Sequence, residues 1–276
     1  MKNTPLVSIL ICTYNAENTI KNTLKSCLEQ TYNNFEILIH DDQSKDKTIE
    51  VIKNIWDKRI KIIESWEKLW PYRWLNFLLD NSKWEYIAIQ DHDDIRHPEK
   101  LEKQIIFLEN NNKYTACWTA CLEYYDWEDI WYIFNKQEKD VCFWVAHTSI
   151  VFRNKWFRYD TTNDYLCDSY FLKHILTKWK NLIHIIPEPL TLHYNRSDGK
   201  NYSNLWFKYN IKNFKRYFDV YWFTLKSAIY SFFLFFISFF KWSYLLQKKI
   251  MFEINGKLTK EELAKDKFCK ELVKYY

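Results

Sequence analysis

Through residues 1–110, short apolar runs alternate with segments in which apolar residues recur every three or four positions. The runs at residues 6–11, 35–39, 60–63 and 86–89 have the length and composition of buried strands. The segments between them predict amphipathic helices, whose apolar faces consist of Ile20, Leu24, Cys27 and Leu28, then Ile49, Ile52 and Ile55, then Tyr72, Leu75, Leu78 and Leu79, then Leu101, Ile105 and Leu108. This repeated alternation predicts an α/β fold, in which a Rossmann-like, mixed but mainly parallel sheet carries helices on both faces.

The pattern becomes less regular after residue 112. Residues 141–152 predict a strand with a turn, and residues 168–176 predict a helix. Residues 183–186 predict a strand that stops at Pro187 and Pro189, because proline cannot donate a hydrogen bond to a neighbouring strand.

Charge is distributed unevenly along the chain. The whole sequence has a net charge of +5, whereas residues 208–249 alone carry +7 and the first 207 residues carry −3. This distribution argues against a nucleic-acid groove in the main domain. We expect a main domain at residues 1–207 and a basic, aromatic-rich helical extension at residues 208–276.

The extension contains an uncharged aromatic stretch. Residues 227–240 include six phenylalanines and are flanked by Lys226 and Lys241. A membrane-spanning helix needs about 20 apolar residues, so this stretch is short for one. Its basic flanks and bulky aromatics suit a helix lying on an anionic membrane surface, and a helix packed on the main domain is the alternative.

The seven cysteines form no C-x-x-C pair, and their odd number favours buried, reduced thiols of a cytosolic protein. Residues 1–5 are polar and too short for a signal peptide. We therefore expect a cytoplasmic protein. If residues 227–240 bind a membrane, the protein would lie at the inner face of the cell membrane.

Tryptophan and glycine occur in an unusual ratio, with fourteen tryptophans and two glycines. Several tryptophans occupy turn and helix-end contexts, where glycine normally supplies a positive φ. These are Trp66, Trp70, Trp84, Trp127 and Trp179. Our hypothesis is that many of these codons are UGA and specify glycine in the source organism, the alternative being a truly tryptophan-rich protein.

Acidic side chains follow two of the predicted strands. Asp41 and Asp42 end the second strand, and Asp91, Asp93 and Asp94 follow the fourth. Ligands of open α/β sheets bind outside the carboxyl ends of the strands. Because adjacent carboxylates repel one another, they favour a bound cation such as Mg²⁺ or Mn²⁺, which can bridge to a diphosphate. A solvated acidic loop is the alternative.

Several segments share order and spacing with a known family. They include Val7-Ser-Ile-Leu-Ile-Cys-Thr-Tyr-Asn15, Phe35-Glu-Ile-Leu-Ile-His-Asp-Asp42 and Glu85-Tyr-Ile-Ala-Ile-Gln-Asp-His-Asp-Asp94, with shorter matches at residues 26–32, 73–76 and 98–101. Over residues 5–205 the sequence resembles the family 2 glycosyltransferases, which have the A-type nucleotide-sugar transferase fold. The motifs are strong evidence together, whereas any one alone would be weak.

The resemblance implies roles on the donor side. Tyr14 would lie beside the nucleotide base, Asp42 would bond the base ring N–H, and Arg73 would contact base or phosphate. Asp91 and Asp93 would form the family's D-x-D pair, which serves ribose and metal.

The resemblance also implies a catalytic base. Asp168 matches that position, and the reaction would be a single displacement with inversion, in which Asp168 deprotonates the acceptor hydroxyl. From spacing alone, an ordinary acid favoured by a helix N-terminus is the alternative for Asp168. The family often has an acid before this base and an arginine six residues later, where this chain has Cys167 and His174.

Three further residues are candidates on the acceptor side. His147 would face the acceptor, unless it is a structural histidine. His193 and Arg196 would contact the diphosphate, unless they belong to an exposed loop.

The resulting hypothesis is an enzyme that transfers a sugar from a nucleotide-sugar donor, UDP-linked, to a glycan or lipid-linked acceptor in cell-surface polysaccharide biosynthesis. A sugar-phosphate nucleotidyltransferase is an alternative, although residues 12–18 lack the Gly-rich basic loop such enzymes show. A non-catalytic glycan-binding relative is another, against which the retained Asp42, Asp91, Asp93 and Asp168 argue.

Overall fold

The structure is a computed structural model of the chain. The described residues are 4–64, 68–69, 72–83, 85–126, 129–141, 145–162, 166–178, 180, 182–196 and 256–275. The five tryptophans suspected above and the aromatic stretch at residues 227–240 lie outside these ranges. Within them, none of the helices combines the length and apolar character needed to cross a bilayer.

The first half of the described chain forms the parallel part of the sheet. The strands are β1 (Val7–Thr13), β2 (Phe35–Asp41), β3 (Ile60–Ile62) and β4 (Tyr86–Asp91), in the spatial order β3-β2-β1-β4. The helices are α1 (Ile20–Leu28), α2 (Thr48–Lys53), α3 (Arg73–Asn81) and α4 (Lys100–Asn110). All four predicted strand–helix units are thereby confirmed.

The second half adds shorter strands and one long parallel pair. They are β5 (Ile95–Arg96), β6 (Ala116–Tyr125), β7 (Ile130–Phe134), β8 (Lys139–Val141), β9 (Val151–Arg153) and β10 (Ile183–Asn195). Strand β9 joins the halves by pairing antiparallel with both β4 and β6, and β6 pairs parallel with β10. More residues pair in parallel than in antiparallel registers, so the predicted fold class is confirmed.

The two faces of the sheet bury separate cores because neighbouring strand residues point to opposite faces. On one face, Ile9 and Ile37 pack with apolar residues of α1, α2 and α4. On the other face, Leu10 and Leu38 pack with α3 and with the helical segment that contains Phe171.

Three expectations after residue 112 need correction. The strand predicted to stop at Pro187 runs on to Asn195, because its register against β6 shifts between Ile186 and Thr191 and so accommodates the prolines. The helix predicted at residues 168–176 divides into an α-helix, α5 (Cys167–Tyr170), and a π-helix (Phe171–Leu176). The strand predicted at 141–152 is divided by a 3-10 turn, His147–Ser149, before β9.

The last described residues form two short helices on the sheet, α6 (Lys260–Lys265) and α7 (Cys269–Val273). Leu263 and Leu272 pack against apolar residues of β6, β7 and β10. The backbone oxygen of Tyr275 accepts a hydrogen bond of 2.8 Å from Asn22 of α1. Residues 256–275 therefore belong to the packed body of the protein.

Candidate active site

The carboxyl ends of β1, β2 and β4 lie side by side. Thr13 is opposite Asp41 in the β1–β2 register, and Cys12 is opposite Asp91 in the β1–β4 register. The loops after these strands therefore share one edge of the sheet, and the predicted donor-side acids Asp42 and Asp91 are brought to that edge.

Asp42 is almost fully buried, at 2% exposure. Its Oδ1 accepts a hydrogen bond of 2.8 Å from the backbone N–H of Leu69. Burial raises the pKa of Asp42, while the Leu69 N–H and the Lys68 ammonium oppose the increase. Lys68 also lies 4.6 Å from the ring centre of the partly exposed Tyr14, so residues 68–69 contact both Tyr14 and Asp42. Arg73 begins α3 with an exposed side chain.

The carboxylate of the neighbouring Asp41 is bound both by β1 and by the turn that follows β2. It accepts hydrogen bonds from the Thr13 hydroxyl and from the backbone N–H of Ser44, both at 2.8 Å. These bonds hold the turn that follows β2.

The three acids at the carboxyl end of β4 have different surroundings. Asp91 is exposed, and Asp94 is fully buried. Asp93 lies between these extremes, and its Oδ2 is 3.4 Å from Nε of Arg196. Partial desolvation raises the pKa of Asp91; His147 opposes this increase and Asp93 adds to it. Burial raises the pKa of Asp94 to about 8.

Among the described residues, no group of three or more His, Cys, Asp and Glu side chains is arranged to hold a metal ion. Asp91 and Asp93 nevertheless offer the hard oxygen ligands that Mg²⁺ and Mn²⁺ prefer. Mg²⁺ in particular is commonly bound through one or two carboxylates together with substrate phosphates. Asp91 and Asp93 therefore supply ligands of the type that a diphosphate-bound cation takes.

His193 and Arg196 approach the acids from the end of β10. Nδ1 of His193 lies 2.9 Å from Oε2 of the buried Glu123 on β6. Burial lowers the pKa of His193, but the net pKa lies well above the ordinary value, and the Glu123 carboxylate makes the largest contribution to that increase. His193 and Arg196 therefore lie beside the Asp91–Asp94 segment.

Asp168 and Asp91 both lie close enough to His147 for their charges to act on it. Asp168 lies in the first turn of α5, where its Oδ1 accepts a hydrogen bond of 2.7 Å from the backbone N–H of Ser169. Burial lowers the pKa of His147, and the carboxylates of Asp168 and Asp91 both oppose that decrease. His174 stacks on Tyr170 with ring centres 4.3 Å apart, so its ring is engaged within its own helical segment.

Sequence reasoning did not predict that Tyr72 and Tyr159 lie near Asp168. Desolvation raises the pKa of Tyr72 and of Tyr159, and Asp168 is the next largest contribution to both. Their ring centres are 5.6 Å apart, and Tyr72 adopts a positive φ of 69° directly before Arg73. Positive φ at a bulky residue is a signal that only the structure reveals.

Comparison with known proteins identifies the family of this chain. The family model "Glycosyl transferase family 2" matches residues 8–176. An uncharacterized glycosyltransferase of Haemophilus influenzae is 42% identical over 118 residues, which make up 42% of this chain and 36% of that protein. The UDP-Glc:alpha-D-GlcNAc-diphosphoundecaprenol beta-1,3-glucosyltransferase WfaP of Escherichia coli is 42% identical over 104 residues, or 38% of this chain and 41% of that enzyme. The chain thus covers less than half the length of these relatives.

A solved structure extends the likeness to nearly the whole chain. S. aureus TarS in complex with UDP-GlcNAc aligns with a TM-score of 0.59 and 14% identity, covering 98% of this chain and 80% of that one. At this level of identity the likeness shows the fold.

Proposed function

Because this chain belongs to glycosyl transferase family 2, we propose that it is an inverting, metal-dependent glycosyltransferase that uses a UDP-linked sugar donor and a lipid-linked or glycan acceptor. The position of Asp42, Asp91 and Asp93 at the carboxyl ends of β2 and β4, the two strands that flank β1, carries this proposal. The donor class is supported by the UDP-Glc in the printed name of WfaP and by the UDP-GlcNAc bound to TarS.

On the donor side, the nucleotide would bind between residues 68–69 and the end of β1. Tyr14 would stack on the base, and Asp42 would accept a hydrogen bond from the base ring N–H. Arg73 would contact base or phosphate, and Asp91 would contact the ribose. The bond from Leu69 to Asp42 supports this assignment, since it already holds the carboxylate in one orientation.

Asp91 and Asp93 would hold Mn²⁺ or Mg²⁺. When bound, the cation would neutralise negative charge on the departing nucleoside diphosphate. Arg196 and His193 would contact the same diphosphate, supported by the ion pair of Arg196 with Asp93 and by the raised pKa of His193.

On the acceptor side, Asp168 would take the proton of the acceptor hydroxyl as its oxygen forms a bond to the anomeric carbon. The bond between that carbon and the diphosphate breaks in the same step, and the diphosphate leaves with the electron pair. His147 and His174 would line the acceptor side. The effect of both Asp168 and Asp91 on the pKa of His147 supports this assignment, since it indicates that the three side chains lie near one another.

The proposed acceptor is a GlcNAc-diphosphate lipid, as in the printed name of WfaP. Such an acceptor would place the enzyme at the inner face of the cell membrane. Residues 227–240 would then contact anionic lipid through their aromatic side chains and their basic flanks.

The test combines turnover with binding. The full chain is incubated with UDP-glucose or UDP-GlcNAc and a GlcNAc-diphosphate lipid, with Mn²⁺ or with EDTA. We expect UDP release that requires Mn²⁺ and a product of inverted anomeric configuration. Asp93→Asn should abolish the Mn²⁺-dependent binding of UDP in calorimetry. No turnover with either donor would contradict the transferase proposal, a retained configuration would contradict inversion, and unchanged UDP affinity would contradict the metal assignment.

We also propose that some of the tryptophans are glycines in the natural protein. Trp156 supports this, because it is 74% exposed and has a φ of 61°, a conformation that glycine adopts without strain. Trp118 differs: it is fully buried, and its indole N–H donates a hydrogen bond of 2.9 Å to the backbone oxygen of Ala146.

A further inference from the structure

The side chain of Asn76 is paired with the backbone of Tyr159. Its Nδ2 donates a hydrogen bond of 2.9 Å to the Tyr159 carbonyl oxygen, and its Oδ1 accepts one of 2.8 Å from the Tyr159 N–H. The two residues are 83 positions apart, and helix α3 supplies the asparagine. This two-point contact fixes both the position and the direction of the backbone at Tyr159.

The Tyr159 side chain is fixed in turn. It is 3% exposed, and its ring stacks on Phe171 of the π-helix with ring centres 4.0 Å apart. Its hydroxyl and Nε2 of His147 share a hydrogen bond of 2.6 Å. Because stacking on Phe171 fixes the Tyr159 ring, the position of the Tyr159 hydroxyl relative to His147 is fixed as well.

His147 therefore has one ring nitrogen committed to Tyr159. Its ring also contacts Tyr72, with ring centres 6.2 Å apart at an interplanar angle of 62°. The carboxylates that act on this imidazole are Asp168 of α5 and Asp91 of β4. His147 thus lies where the proposed acceptor and donor sides meet, and its orientation depends on Tyr159.

We propose that Asn76 and Tyr159 are positioning residues for sugar transfer: Asn76 fixes Tyr159, and the Tyr159 hydroxyl holds the His147 imidazole in the orientation used during transfer to the acceptor. The inference rests on the proposed function of the site. It adds three residues linked by hydrogen bonds, Asn76, Tyr159 and His147, which together orient the acceptor side of the site.

The first test is a double-mutant cycle in turnover. Tyr159→Phe keeps the ring on Phe171 and removes only the hydroxyl. We expect kcat to fall about three- to tenfold, as for the loss of one hydrogen bond, with the donor KM unchanged within about twofold. Because Tyr159 acts through His147, the variant with both Tyr159→Phe and His147→Ala should be no slower than His147→Ala alone. Asn76→Ala should show the same dependence on His147.

Tyr114→Phe is the matched control. It removes the hydroxyl of a tyrosine that is 7% exposed, whose hydrogen bond of 2.8 Å to Oδ2 of Asp140 lies outside the site, and it should leave kcat unchanged. Wild-type turnover in His147→Ala, or additive losses in the double variant, would overturn the inference.

The second test does not depend on turnover. In nitrogen-15 NMR of the histidine side chains, Tyr159→Phe should shift the ring signals of His147, and Tyr114→Phe should leave them in place. Unmoved His147 signals in Tyr159→Phe would overturn the inference. A wild-type chain that transfers no sugar would instead contradict the proposed function, while the NMR signals would still report on the hydrogen-bond chain.

Discussion

Replacing Asp94 with asparagine is expected to stabilise the protein at neutral pH and to remove a pH dependence of its stability. Asp94 is fully buried, and its Oδ1 accepts a hydrogen bond of 2.9 Å from the backbone N–H of Tyr194. Its Oδ2 has no hydrogen-bond partner among the described residues. Burial raises the pKa of Asp94 from 3.8 to about 8; Asp93 and Asp91 add to this increase, and His193 opposes it.

The magnitude follows from proton linkage. In the unfolded chain this carboxyl loses its proton near pH 3.8, whereas in the folded protein it keeps it up to about pH 8. Between these values the folded state binds one more proton, so the free energy of unfolding falls by about 1.4 kcal/mol for each pH unit of increase. From about pH 5 to about pH 7, Asp94 should therefore cost the protein on the order of 3 kcal/mol, a cost that asparagine does not have.

The assay is urea unfolding of the wild type and of Asp94→Asn in EDTA, at about pH 5, about pH 6 and about pH 7. The stability of the variant relative to the wild type should increase by on the order of 3 kcal/mol over this range. Asp80→Asn is the control, because Asp80 is 63% exposed and pairs with Arg158 at the surface, where such pairs contribute less than about 1 kcal/mol. Parallel pH profiles for wild type and Asp94→Asn would refute the reasoning, since they would mean that Asp94 is ionised in the folded protein.

Further predictions concern the base, the tryptophans and the tail. Asp168→Asn should leave UDP binding intact and slow transfer by about 10²–10⁴, as measured by steady-state kinetics; near wild-type turnover would remove Asp168 from the mechanism. Trp156→Gly should raise the free energy of unfolding by about 1 kcal/mol because it relieves positive φ, whereas Trp118→Gly should lower it by several kcal/mol; a destabilised Trp156→Gly would argue for native tryptophan there. Lys226→Glu combined with Lys241→Glu should reduce sedimentation of the full chain with anionic liposomes, and equal sedimentation would argue against membrane binding by residues 227–240.

The elements that the sequence predicted correctly are those whose pattern follows from local burial. Strands β1, β2 and β4 are apolar runs because both of their faces are covered, and the helices between the strands show one apolar face. Strand β6 was missed, since its Ala-Cys-Trp-Thr-Ala-Cys sequence has neither an aliphatic run nor strict alternation. Its burial depends on pairing with β10, which is distant along the chain.

The same limit applies to the site. Asp42 and Asp91 could be placed near one another because parallel strands end at a common edge. The contact of Asn76 with Tyr159 could not be predicted, because nothing in the sequence indicates that this helical asparagine and this loop tyrosine bind each other. Electrostatic differences among Asp91, Asp93 and Asp94 likewise arise from the fold, since adjacent acids look equivalent in the sequence.

The packing of α6 and α7 has a consequence for how the protein is made. These helices cover Ile95, Leu122 and Leu192, and Asn22 bonds a residue 253 positions further along the chain. Contacts of such separation form late, because the entropy of closing the intervening loop must be overcome first. During translation, apolar residues of β6, β7 and β10 lack the cover of α6 and α7 until residues 256–275 have emerged from the ribosome. We expect the nascent chain to bind chaperones during that interval, and slow elongation there to prolong its exposure to aggregation.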